Sequence, residues 1–140
     1  MKEQKGITLT SLLIYVVAML IIIGVVGTIT SFFYSNTADM NESATNLGEF
    51  NKFNLAFLAE TKKEGNSVYS VNNNRITFSS GTVFTFQGDG IYQNKVKICT
   101  SVTNCSFNVR VKEEKQIITV LIEIGTKVPF AKTIEYVMNY

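Results

Sequence analysis

The feature that most constrains this chain is an uncharged, apolar run close to its N-terminus. No Asp, Glu, Lys or Arg occurs from Gly6 to Ala38, and Leu12–Ile29 is almost wholly apolar. A helix of about 20 such residues spans the hydrocarbon core of a bilayer. We therefore predict a membrane-spanning helix over residues 7–38, followed by a small domain outside the lipid.

Charges on the two sides of this run predict its orientation. Lys2 and Lys5 precede it, whereas residues 39–51 carry acidic side chains and no basic one. Lys and Arg are enriched in the cytoplasmic flanks of membrane spans. The sequence thus predicts a single-pass protein of the cytoplasmic membrane, with a cytoplasmic N-terminus and an external C-terminal domain.

The helical pattern continues beyond the membrane edge. An apolar stripe recurs at spacings of three and four residues, as in an amphipathic helix: Met40, Ala44, Leu47, Phe50, Phe53 and Phe57. The other faces are filled by polar residues, namely Asn41, Glu42, Glu49, Lys52 and Glu60. Lys62 and Lys63 suit the end of a helix dipole, and Gly65 suits the left-handed residue that follows. One helix is therefore predicted over residues 7–64, with residues 39–64 as its amphipathic continuation.

The apolar period changes after Gly65 from 3.6 to 2, which is typical of strands. The turns "NNN", "SG", "GDG" and "EEKQ" separate short runs such as "RITFS", "TVFTFQ" and "IITVLIEI". Such spacing predicts an antiparallel meander over residues 65–140. Its apolar face needs a cover, which Phe50, Phe53 and Phe57 supply. The predicted fold class is α+β, a long N-terminal helix packed on a C-terminal antiparallel sheet.

The composition argues against catalysis. The chain has no His, 13 basic and 11 acidic residues, and a formal charge of +2. Lack of His removes the commonest general base and the commonest metal ligand. The small charge gives no electrostatic footprint for nucleic acid. We predict no enzyme, no catalytic residue, no metal, no cofactor and no direct nucleic-acid partner.

Cys99 and Cys105 form a C-x5-C pair in the part predicted to lie outside the membrane. A disulfide there would close the short "TSVTN" loop, and oxidising compartments favour such bonds. It would stabilise the fold by about 2 kcal/mol on loop-entropy arguments. We predict this disulfide; two reduced thiols in the core are the alternative.

A charged leader, residues 1–6, ends in Gly6 and is followed by "ITLTSLL", a long helix and an antiparallel sheet. This arrangement resembles the type IV pilin family and is similar to the pseudopilins of type II secretion and competence systems. The resemblance implies that a prepilin peptidase cleaves the Gly6–Ile7 bond and methylates the new amine of Ile7. Because Gly6 has no side chain, extended backbone can enter a protease cleft. Cleavage before the apolar run leaves the anchor on the mature protein, the reverse of ordinary signal peptidase.

The resemblance also implies the partners of the chain. They are other pilin or pseudopilin subunits, the prepilin peptidase, the pilus assembly platform, and membrane lipid until the subunit enters an extracellular filament. The family usually has Phe at the first mature position and Glu at the fifth, where this chain has Ile7 and Ser11. A charge in lipid is costly unless it is paired, and that Glu is thought to meet the amine of a neighbouring subunit. Ser11 therefore points to a minor pilin that packs poorly on itself, and the strand layout is similar to subunits of the J or W type.

Two other functions remain open from the sequence. A pseudopilin serving DNA uptake or type II secretion shares every feature above. A membrane-anchored extracellular binding module would keep the apolar run as a plain signal-anchor, and a secretory signal would be cut near Gly27.

Overall fold

The computed structural model describes residues 8–139, which contain one long helix and eight strands. The chain divides into two compact units, Met1–Ala38 and Asp39–Tyr140. The helix, α1, runs Leu9–Thr61 and contributes residues to both units. The predicted long helix is therefore confirmed, although it ends at Thr61 rather than at Glu64.

Side chains and a glycine together terminate α1. The Lys62 N–H still donates to the Leu58 carbonyl at 3.1 Å, and the Asn66 side-chain amide donates to the Glu60 carbonyl at 2.9 Å. Gly65 then adopts a φ of +68°, which a residue without a Cβ takes at little cost. The predicted role of Gly65 as the left-handed residue is confirmed.

Eight antiparallel strands follow, each paired with its neighbour in sequence within its sheet. They are β1 (Val68–Asn72), β2 (Arg75–Phe78), β3 (Val83–Gln87), β4 (Gly90–Gln93), β5 (Val96–Cys99), β6 (Val102–Lys112), β7 (Lys115–Ile124) and β8 (Phe130–Asn139). Strands β1–β5 form one sheet and β6–β8 form another. The predicted antiparallel meander is confirmed, and its division into two sheets is additional.

Backbone and side-chain hydrogen bonds join the two sheets. The Phe107 N–H of β6 donates to the Asn73 carbonyl in the β1–β2 turn at 2.9 Å. The Gln116 side chain of β7 accepts from the Val68 N–H at 2.7 Å and donates to its carbonyl at 3.4 Å. These bonds satisfy backbone groups of Val68, Asn73 and Phe107.

The core lies between the second part of α1 and the two sheets. Phe57 is at its centre, with its ring centroid 4.8 Å from that of Tyr136 and 5.0 Å from that of Phe84. The largest fully buried side chains come from α1 and from both sheets: Phe53, Phe57, Phe78, Phe84, Ile76, Ile91, Ile118, Ile122, Ile124, Met138, Val102 and Val120. The predicted α+β architecture, a long helix packed on antiparallel sheets, is confirmed.

The helix stripe differs in part from the sequence prediction. Phe50, Phe53 and Phe57 are buried as predicted, but Met40 and Leu47 are exposed. In their place the buried face carries polar side chains, Asn46, Glu49 and Glu60, although Glu49 and Glu60 were predicted on the outer faces. These three bind groups that lie beyond the helix, so the pattern of the helix alone does not reveal their burial.

Candidate functional site

The apolar part of α1 is the first candidate functional surface. Among the described residues, α1 is the one helix long and apolar enough to cross a membrane. Its large apolar side chains between Leu9 and Tyr34 are exposed. An apolar surface of this extent marks contact with lipid or with another protein.

Three threonine hydroxyls within this part of α1 are satisfied by the helix itself. The Thr28, Thr30 and Thr37 hydroxyls donate to carbonyls four residues earlier, at 2.9, 2.8 and 2.8 Å respectively. An unpaired hydroxyl would be costly in lipid, whereas one bonded to its own helix is tolerated. A Cβ added to Gly24 or to Gly27 would meet no heavy atom within 4 Å, so another helix could approach closely at these two residues.

The predicted processing site, Gly6 and Ile7, lies outside the described residues. Ser11, the predicted assembly position, lies in the first turn of α1. The Thr8 Oγ1 and Ser11 Oγ atoms are 2.8 Å apart, and the Ser11 N–H donates to Thr8 Oγ1 at 3.4 Å. Thr8 is thus the N-cap of the helix, and Ser11 occupies the third helical position that completes its hydrogen bonding.

A second polar cluster ties α1 to the turn between β7 and β8. Lys127 pairs with Asp39 at 3.0 Å, and the Val128 N–H donates to Glu42 Oε1 at 3.2 Å. The Asn46 side chain donates to the Val128 carbonyl at 3.0 Å. Three side chains from the part of α1 that follows Ala38 therefore fix the helix to this loop.

Glu49 is a buried acid that holds the β5–β6 connection. Its Oε2 accepts the Thr100 N–H at 2.9 Å, and its Oε1 pairs with Lys52 at 2.6 Å. Burial on its own raises the pKa of Glu49, but the hydrogen bonds from Lys52 and from the Thr100 N–H outweigh it and lower the pKa from its ordinary value. Glu49 is therefore a charged structural ligand for backbone, not a proton donor near neutral pH.

Glu60 organises the other end of the helix in the same way. It pairs with Lys63 at 2.6 Å, accepts the Asn66 side-chain amide at 2.9 Å and accepts the Ser80 hydroxyl. Asn66 Oδ1 in turn accepts the Ser80 N–H at 3.1 Å. Burial raises the pKa of Glu60, and the Lys63 and Ser80 hydrogen bonds more than offset this, so the pKa is lowered.

The sequence carries a signal for these two acids that the prediction missed. Glu49 and Glu60 are each followed by a Lys three residues later, and they lie three helical turns apart. That spacing places them on one face of α1, together with Phe53 and Phe57. An acid that shares the apolar face and has a Lys at i+3 is a candidate for a buried ion pair.

The disulfide predicted between Cys99 and Cys105 is not present in the structure, which has both residues as free, buried thiols. Cys99 ends β5 and Cys105 lies in β6, so the two thiols belong to different sheets and both pack into the shared core. Burial raises the pKa of each thiol to about 12. The two residues therefore behave as small apolar core residues.

No group of three metal-binding side chains is found within residues 8–139. The Glu49 carboxylate is occupied by Lys52 and a backbone N–H, and the Glu60 carboxylate by Lys63 and other side chains. The two thiols are protonated. The described side chains thus form structural contacts between α1 and the sheets and exposed surfaces around them. Comparisons of the chain with protein-family models, with curated proteins and with solved structures found no significant match.

Proposed function

We propose that this chain is a minor type IV pilin, a structural subunit of an extracellular pilus that is processed by prepilin peptidase. The observation that carries the proposal is that α1 has one part with exposed apolar side chains and another part that is buried under the sheets. Its residues before Ala38 expose apolar side chains, whereas Phe50, Phe53 and Phe57 are buried under two antiparallel sheets. A subunit that is held in lipid and later packed in a filament needs both parts on one helix.

The apolar part of α1 suits both environments. Its threonine hydroxyls bond to their own helix at 2.8 to 2.9 Å, so they demand no partner from lipid or protein. Moving the helix from lipid to a filament core replaces one apolar surround by another, and the hydrophobic change in free energy is small. Assembly from the membrane and return to it are then both feasible.

Processing at Gly6–Ile7 and methylation of Ile7 belong to the same proposal. The mature chain would begin one residue before Thr8, the N-cap of α1. The new amine of Ile7 would be one residue before the N-cap in the sequence, and the N-terminal end of a helix dipole disfavours positive charge. A partner carboxylate from a neighbouring subunit would relieve this, and Ser11 cannot supply one. Because the chain would offer an amine but no carboxylate at this position, the proposal favours a minor subunit whose neighbour in the filament is a different pilin.

Fractionation of cells that produce the chain tests the proposal. Filaments sheared from the cell surface should contain the chain when prepilin peptidase is active, and membranes alone should contain it when the peptidase is deleted. A minor subunit makes up a small fraction of each filament. Deletion of the chain should nevertheless reduce the number of filaments strongly. Its absence from sheared filaments of cells that assemble pili would reject the pilus role, and loss of protein secretion or of DNA uptake instead would indicate a pseudopilin.

A further inference from the structure

A groove crosses the solvent-facing side of the five-stranded sheet, away from the core. Arg75, Thr85, Tyr92 and Lys97 are successive cross-strand partners in β2, β3, β4 and β5. Their sequence neighbours Ile76, Phe84 and Ile91 are buried in the core, so this row faces outward. The groove has a volume of about 790 Å³, and the row spans roughly 14 Å at the usual strand spacing.

Turns at both ends of β4 form the ends of the groove. Gly88 and Asp89 precede the strand, and Asn94 and Lys95 follow it. The Asn94 Oδ1 atom accepts the Val83 N–H at 2.8 Å, which fixes the second turn to β3. The groove is thus built on paired strands with anchored ends, which suits a pre-formed binding site.

Among the charged side chains that line the groove, one is paired and two are not. Asp89 is neutralised by Lys97, whose Nζ lies 2.7 Å from its Oδ1. Lys97 reaches it across Gly90, where a Cβ would overlap the lysine side chain and lie 2.9 Å from the Cys99 carbonyl. Within residues 8–139 neither Arg75 nor Lys95 has an ion-pair partner. Two positive side chains are therefore available to an anionic ligand.

Lys95 occupies a backbone conformation that favours glycine. Asn94 and Lys95 have φ of 48° and 74°, the pattern of a two-residue hairpin turn in which Asn-Gly is preferred. A lysine at the second position carries strain that a glycine would not.

We propose that this groove binds an acidic oligosaccharide. The Tyr92 ring offers a flat apolar face to a sugar ring, and Arg75 and Lys95 offer charge-assisted hydrogen bonds to carboxylates. Gln87 and Thr85 supply neutral donors and acceptors for hydroxyls, and Asp89 keeps acceptor capacity beyond its bond to Lys97.

The same groove is poorly suited to nucleic acid. Single-stranded nucleic acids are held by a continuous basic track and by several stacked aromatic rings. Here Tyr92 is the one aromatic residue among those that line the groove. The formal charge of +2 for the whole chain adds little attraction.

Titration calorimetry on the full chain in detergent micelles tests this inference. The probes are hexasaccharides of galacturonic, glucuronic and mannuronic acid, their uncharged methyl esters, and a thymidine hexanucleotide. We expect at least one acid to bind about tenfold more tightly than its ester, since a charge-assisted bond is lost in the ester. No saturable binding of any acid, equal binding of acid and ester, or tighter binding of the hexanucleotide would overturn the proposal.

Matched variants locate the binding to the groove. Arg75→Gln, Tyr92→Ala and Lys95→Gly should each weaken the binding of the acid by about threefold to tenfold. Lys95→Gly also relieves backbone strain, so its loss of binding cannot come from unfolding. Glu114→Gly is its control, because Glu114 has a φ of 63° in the turn between β6 and β7, away from the groove. Unchanged binding by Lys95→Gly and Arg75→Gln would overturn the site. The test needs neither processing nor filament assembly, so its result is independent of the pilin proposal.

Discussion

The side chain of Asn46 in α1 lies directly over Gly125, the residue that follows β7. A Cβ on Gly125 would overlap the Asn46 side-chain amide, and that amide donates to the Val128 carbonyl at 3.0 Å. Gly125 also has a φ of +84°. Helix and sheet therefore approach each other closely at a position that admits no side chain.

Gly125→Ala should destabilise the fold more than the backbone strain alone requires. Gly81 supplies the control, since its φ of +87° is nearly the same but no heavy atom lies within 4 Å of its absent Cβ. We expect Gly81→Ala to cost about 1 kcal/mol from the left-handed conformation, and Gly125→Ala to cost about 1 to 3 kcal/mol more from overlap with Asn46. Urea unfolding of the full chain in micelles measures both, and equal losses would contradict the close approach.

The buried acids make stability depend on pH in the acidic range. The pKa values of Glu49 and Glu60 are lowered in the folded chain from an ordinary value of 4.5. Such groups contribute stability that is complete above pH 4.5 and is lost as the pH falls through their folded pKa values. The contribution of these two groups to the unfolding free energy should therefore be constant above pH 4.5 and should decrease as the pH is lowered further.

Glu60→Gln isolates one of these contributions. It removes the charge that Lys63 and Ser80 stabilise, so we expect a loss of about 1 to 3 kcal/mol at pH 7 and a shallower fall below pH 4.5. The exposed Glu64 provides the matched change, Glu64→Gln, which should alter neither quantity by more than about 0.5 kcal/mol. An unaltered pH slope in Glu60→Gln would show that this acid does not carry the effect.

The two thiols should be unreactive while the chain is folded. With pKa values raised to about 12 for Cys99 and Cys105, the thiolate fraction at pH 8 is on the order of one in ten thousand. We expect no iodoacetamide adduct on the native chain and two adducts when it is denatured without reductant. Mass spectrometry of the purified full chain counts them, and a denatured chain without adducts would indicate that the disulfide forms after all.

The sequence predicts features that one segment specifies by itself. The spacing along the helix is enough to place Phe50, Phe53 and Phe57 on one face. Gly65 takes the left-handed conformation after the helix because that conformation depends only on its own backbone. Alternating apolar residues likewise predict the strands and their antiparallel order. These features depend on contacts within a few residues of one another.

Contacts between segments that are far apart in the chain were missed, because no pattern within one segment specifies them. Asn46 is buried because Val128 needs a donor, and Glu49 is buried because Thr100 needs an acceptor. Neither partner can be read from the helix, whose pattern favoured Leu47 as the buried neighbour. The outward row of Arg75, Thr85 and Tyr92 also depends on strand register, which their separate turns determine.

Ser11 offers a direct change in the proposed assembly segment. If a carboxylate at this position meets the amine of a neighbouring subunit, Ser11→Glu should increase the amount of the chain along each filament severalfold, because a buried amine gains a charged partner. Quantitative immunoblotting of sheared filaments measures it.

Two controls separate charge from helix capping in that experiment. Ser11→Gln completes a capping box with Thr8 but carries no charge, and Thr10→Glu adds the charge one position away. Neither variant should raise incorporation. Equal incorporation of Ser11→Glu and Ser11→Gln would remove the role assigned to the charge.

We propose that residues 1–6 are a leader and that the apolar helix remains on the mature subunit. Mass spectrometry of the N-terminal peptide, on chain isolated from membranes that contain prepilin peptidase, tests it most directly. Under this proposal we expect a chain that begins at Ile7 with one methyl group on its amine. An intact Met1, or a first residue near Thr28, would contradict it.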